Sequence, residues 1–202
     1  MTEQDDARAA RAAAIAAGCD DVVMAGAVTR GERGFLVPRR TGYLLVSEPF
    51  EPGLDLRAVY LGSPSDGMTR RPTLVATVPG TGQVALTSPT AFEAFGRWAC
   101  TRIEPARLAE LLVQQQGPAG ASVLVQEGDE AEGLSSELPE LHRFTPHQLP
   151  GGGWQAGPFT SFTYLRSPDG ELCASFIDWD ATFSADNAQW QSHPRVRIAV
   201  AG

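Results

Sequence analysis

The residues in this chain best suited to chemistry are a few acids and histidines set among aromatics in its last quarter. Asp178 and Asp180 are two apart in the run Phe176-Ile177-Asp178-Trp179-Asp180, so on a regular strand both carboxylates share a face. A carboxyl group beside aromatic rings loses solvation, and a raised proton affinity suits it to general acid or base work. Tyr164 and His193 are the side chains expected to orient a substrate beside Asp178. The plainer alternative, and the favoured one, is that Asp178 hydrogen-bonds a buried amide while Asp180 is solvated.

Aromatic side chains surround these groups. Residues 151–202 hold Trp154, Phe159, Phe162, Tyr164, Phe176, Trp179, Phe183 and Trp190, half of the 16 aromatics in the chain. Phe162, Phe176, Trp179, Trp154 and Trp190 are the expected ligand-binding wall, since a small-molecule pocket needs apolar surfaces and only a few polar groups. The same rings would serve a packed core equally well.

Other chemistries fail on composition. All 16 basic residues are arginine; without lysine there is no Schiff base, no pyridoxal-phosphate site of the usual kind and no Walker-A nucleotide loop. His142, His147 and His193 form no HExxH or mixed Cys/His set, so no metal is expected, and no cofactor is called for. A GxSxG elbow is missing. Cys19, Cys100 and Cys173 are isolated and odd in number, which points to a reducing, cytoplasmic setting rather than a disulfide framework. The net charge of −8 argues against nucleic acid and anionic membrane as partners, and no apolar run approaches the length of a membrane span.

The elements that must position these groups are read from period and punctuation. Residues 159–180 form the clearest unit, two aromatic-rich strands around the turn Ser167-Pro168-Asp169-Gly170. A four-residue turn there pairs Arg166 with Glu171, Tyr164 with Cys173 and Phe162 with Ser175. Short apolar runs at 22–24, 34–37, 43–46, 57–61, 73–78 and 83–86, separated by Gly, Pro, Ser or Asp, predict a meander. Pro79-Gly80-Thr81-Gly82 marks a second hairpin.

Helices come next. Ser88-Pro89 opens one that carries Phe92, Phe95, Ala99 and Ile103 on one face, and Glu104-Pro105 opens another with Leu108, Leu111 and Leu112. The N-terminal stretch is a capped, alanine-rich helix whose only large apolar residue is Ile15, so little burial is expected of it. Between Glu127 and Glu140 there are six acids and no base, the pattern of a solvated loop. Ser184-Ala185-Asp186-Asn187 reads as a short helix start running through Trp190, and 195–200 as a last strand.

These elements predict one α+β domain over 1–202, a mainly antiparallel curved sheet or partial β-barrel with two central helices packed on it and an N-terminal helix. A lobe boundary, if present, falls near 127–153. The expected function is binding of a small-molecule ligand, with the acid at Asp178 allowing a cofactor-free enzyme of the cyclase, isomerase or hydratase type. The alternative is a non-catalytic protein-interaction or regulatory module. A homodimer is compatible with either, and the residues alone do not decide whether the protein is an enzyme.

Overall fold

The computed structural model describes residues 3–16, 23–29, 32–37, 42–47, 51, 54–63, 67–68, 72–123, 141–166 and 172–199. The expected turn at 167–170, the acidic stretch 127–140 and Cys19 lie outside the described residues. The chain divides into two compact units, Met1–Phe95 and Gly96–Gly202.

The first unit is helix α1 (Glu3–Ala16) and a meander of β1 (Val23–Thr29), β2 (Glu32–Val37), β3 (Gly42–Ser47), β4 (Leu56–Ser63), β5 (Gly67–Met68), β6 (Thr73–Val78) and β7 (Gly82–Ala85). The strands pair antiparallel in the order β1-β2-β3-β4-β6-β7, with β5 added beside β4. The turn between β6 and β7 follows the expected chemistry: Gly80 and Gly82 have φ of 79° and 87°, and the Thr81 N–H donates to the Val78 carbonyl.

Helix α1 departs from its expected light docking. Ala9, Ala10, Ala13 and Ala14 are buried against Leu44, Val46, Val59 and Val75, whereas Ile15 is 64% exposed. Alanine is what lets the helix backbone lie close to the sheet, so its small residues form the contact and its one large residue does not. An ion network joins the same surfaces. Arg57 on β4 is 1% exposed, donates from Nε to Asp55 Oδ1 at 2.8 Å and from Nη1 to Asp6 of α1. Two carboxylates meet the one buried guanidinium, so it is not left as an uncompensated buried charge.

The second unit contains the end of α2 (Pro89–Ala99), α3 (Pro105–Gln116), β8 (Ser122–Val123), β9 (His147–Gln148), β10 (Trp154–Arg166), β11 (Leu172–Phe183) and β12 (Ala188–Ala199). Its sheet runs β12-β11-β10-β8, with β9 beside β10, all antiparallel. The protein is therefore α+β with two antiparallel sheets, and among the described residues neither sheet closes into a barrel.

Two local expectations are corrected. The segment from Ser184 is a turn, not a helix: the Ser184 hydroxyl accepts the Asn187 N–H at 3.0 Å and the Ser184 N–H donates to the Asn187 carbonyl at 2.7 Å, so β12 starts at Ala188 and Trp190 is a strand residue. The β10–β11 register is also one residue off the expected one. Arg166 pairs with Leu172, Tyr164 with Ala174 and Phe162 with Phe176, which leaves five residues rather than four between the strands. A one-residue slip exchanges the faces of one strand relative to the other.

Aromatic rings fill the core of this unit. Phe144 meets Trp154 and Phe159 edge-on at 5.4 and 5.1 Å, and Trp154 lies 5.1 Å from Phe183. Two glycines permit this packing. A Cβ on Gly96 of α2 would overlap the Phe183 ring, and one on Gly153, at φ 88°, would overlap the Phe183 carbonyl oxygen.

Candidate functional site

The corrected register sorts the aromatic residues onto two faces. Phe159, Ser161 and Thr163 of β10 share one face with Trp179, Ile177 and Ser175 of β11. That face is core: Trp154, Phe159, Trp179 and Phe183 are at most 1% exposed. The Trp179 indole N–H donates to the Ser161 hydroxyl at 2.8 Å, and a Cβ on Gly117, just after α3, would meet the Trp179 ring at 3.1 Å. Trp190 is half-buried and stacks on Phe183 at 6.2 Å. Trp154, Trp179 and Trp190 therefore pack on the side of the sheet away from Asp178.

The other face holds the chemistry in successive cross-strand pairs: Thr160 with Asp178, Phe162 with Phe176, Tyr164 with Ala174, Arg166 with Leu172. Phe176 is buried and Phe162 stacks against it at 6.5 Å, while Tyr164 meets Phe162 edge-on at 6.0 Å. Tyr164 and Leu172 are 40% and 39% exposed. The result is an apolar ledge leading from an exposed edge to a carboxylate.

Asp178 is held from three sides. Its Oδ1 accepts the Thr160 hydroxyl at 2.7 Å. Its Oδ2 lies 3.3 Å from Arg195 Nε and 4.0 Å from His142 Nε2. Thr160 is fully buried, and it also fixes the chain at His142: the Thr160 N–H donates to the His142 carbonyl at 2.7 Å, and the Thr160 hydroxyl accepts the His142 N–H at 2.9 Å. Arg195 owes its place to an irregularity in β12. Ile177 pairs with Pro194 but Ser175 pairs with Arg197, so two residues of β12 stand opposite one of β11, the pattern of a bulge that re-aims a side chain.

His193 is the register partner of Asp178, yet its imidazole is 3.6 Å from Asp180, and both side chains are more than half exposed. Tyr164 shares the face of Asp178 but stands two pairs away, roughly 13 Å along the strands, with the Phe162–Phe176 pair between. Of the expected catalytic set, the carboxylate is in a built polar cluster and the other two are outside it. Thr160, His142 and Arg195 are the members that sequence reasoning misses. In the sequence Arg195 is only a strand residue of the C-terminal tail, and His142 only a histidine in a loop.

This arrangement can anchor a ligand group and exchange a proton with it. The two ring nitrogens of His142 can donate and accept hydrogen bonds, and the neighbouring carboxylate, itself tied to Thr160 and Arg195, fixes the ring's surroundings. His142 and Asp178 side chains are 30% and 16% exposed, open enough for a small molecule to approach. Cys100 offers no comparable chemistry: burial pushes its thiol up, while a backbone hydrogen bond and the Arg102 guanidinium pull it partly back, which keeps it a protonated, poor nucleophile. Among the described residues no three His, Cys, Asp or Glu side chains are grouped as metal ligands would be, and no described helix is long and apolar enough to cross a membrane. No protein-family model matches this chain, and neither a curated protein nor a solved structure matches it at a significant level.

Proposed function

We propose that the protein binds a small organic molecule on the Asp178-bearing face of the β10–β11–β12 sheet and moves a proton on it with Asp178 and His142. The observation that carries this reading is the Asp178 carboxylate, oriented by a buried threonine and a bulge-directed arginine, with an imidazole 4.0 Å beyond it and an apolar ledge beside it. The ledge of Phe162 and Tyr164 suits a planar or apolar body. Arg195 and His142 suit an oxygen-bearing head group. Reactions of the isomerase, cyclase or hydratase type need proton transfer in place and no cofactor, which agrees with the arginine-only basic composition. The isolated cysteines support a cytoplasmic setting.

Ligand binding tests the proposal. Saturation-transfer NMR against a library of metabolite-sized aromatic acids and ketones should find binders to the wild-type chain. Asp178→Asn should weaken them about tenfold, equivalent to about 1.4 kcal/mol, with cooperative unfolding retained. Binders unaffected by both Asp178→Asn and Tyr164→Ala, or none in the library, would remove the reading.

The exposure of Tyr164 and Leu172 on one face favours a second reading, a surface that docks a protein partner. Sedimentation of the purified chain separates the two. Self-association abolished by Tyr164→Ser, with no ligand effect, supports docking instead.

A further inference from the structure

The face that carries Asp178 continues past the cluster toward the Phe183 end of β11. There the register sets the side chains of three strands in rows: His193 opposite Asp178, Gln191 opposite Asp180, and Gln155 and Gln189 on either side of Thr182. Gln155, Asp180, Gln189, Gln191 and His193 are exposed, and Thr182 is half-buried. With strands about 4.8 Å apart and a rise of about 3.3 Å per residue, these rows cover about 10 by 13 Å. That is room for a sugar-sized body.

The chemistry of the rows is amide and hydroxyl rather than net charge. Asp180 has the His193 imidazole at 3.6 Å and Asp178 has Arg195 Nε at 3.3 Å, so each carboxylate comes with a partner able to carry positive charge. Gln155, Thr182, Gln189 and Gln191 make no side-chain hydrogen bond among the described residues. Three amides and a hydroxyl therefore offer donors and acceptors side by side. The floor beside Asp180 is main chain: β10 bulges between Ala156 and Phe159, and a Cβ on Gly157 would overlap Asp180 Oδ1.

These groups select by elimination. An anionic tail would face two carboxylates, and a cation would use the acids but leave the amide N–H groups without acceptors. An apolar tail strips water from the amides and returns no hydrogen bond. A neutral body with a hydroxyl on most of its carbons both gives to and takes from the same amides.

We infer that the ligand is an apolar or aromatic group joined through oxygen to a sugar or similar polyol. This rests on the reading of Asp178 as a ligand site and extends it to the second half of the molecule bound there. The aromatic part lies on Phe162 and Tyr164, the joining oxygen is at Asp178, and the polyol lies over Asp180, Gln191 and the Gln155–Thr182–Gln189 row.

Calorimetric titration of the full chain with phenyl β-D-glucopyranoside, phenyl β-D-galactopyranoside, phenol and methyl β-D-glucopyranoside tests it. At least one phenyl glycoside should bind about tenfold more tightly than phenol and than the methyl glucoside. A Gln155→Ala/Gln191→Ala double variant should weaken that glycoside about tenfold and leave phenol unchanged, with thermal unfolding used to confirm that it is folded. Asp178→Asn should weaken both. Neither glycoside exceeding phenol, or a glycoside untouched by the double variant, overturns the inference and leaves the binding of aromatic acids and ketones at Asp178 standing. Glycoside binding lost in the double variant but unchanged in Asp178→Asn overturns the Asp178 reading instead.

Discussion

Thr160 shows how much one buried hydroxyl can organise. It has one proton to give and two lone pairs; the proton goes to Asp178 and a lone pair takes the His142 N–H. Both members of the proposed acid–base pair are thus placed by a residue that reads in sequence as one more threonine in a strand. Thr160→Val keeps the volume but strands the His142 amide and one Asp178 oxygen, so urea unfolding should show a loss of about 1–3 kcal/mol. Thr160→Ser, which keeps the hydroxyl, should recover most of it, and a loss in Thr160→Ser with none in Thr160→Val would show that the methyl contact, not the hydroxyl, matters. Asp178 is legible in the sequence because an acid within an aromatic strand is a misfit. Its partners are not, because each arrives from a different segment: His142 from the chain before β9, Thr160 from β10 and Arg195 from β12.

At the scale of elements, period and turn chemistry carry most of the pattern. The six runs of the meander, the hairpin at 79–82 and the two central helices are all present, since each combines a clear hydrophobic period with Gly, Pro or Ser punctuation. The β10–β11 hairpin is legible as a unit but not in register. Its faces differ little in hydrophobicity, so nothing in the pattern penalises a slip by one residue. Helix α1 escapes the sequence pattern for a physical reason: counting large apolar residues overlooks that alanine can be the packing surface when a helix lies close on a sheet. Ala10→Leu should therefore destabilise the protein by about 1–3 kcal/mol through overpacking, whereas Ile15→Ser should stay within about 0.5 kcal/mol. Chemical denaturation of the two variants checks this, and the reverse order would mean that α1 packs by its other face.

Across the whole molecule, the described chain is two antiparallel sheets in two compact units. In the second unit most of the aromatic excess is core, which is the plainer of the two expectations for Trp154 and Trp179. What remains accessible is narrower than a wall of rings, namely Phe162 and Tyr164 leading to the Thr160–Asp178–Arg195–His142 cluster. The most direct test is amide chemical-shift mapping of the full chain with the aromatic acids and ketones that bind it. The account predicts that the largest shifts fall on His142, Thr160, Phe162, Tyr164 and Asp178 and vanish in Asp178→Asn. Shifts confined to other segments, or unchanged in that variant, would contradict it.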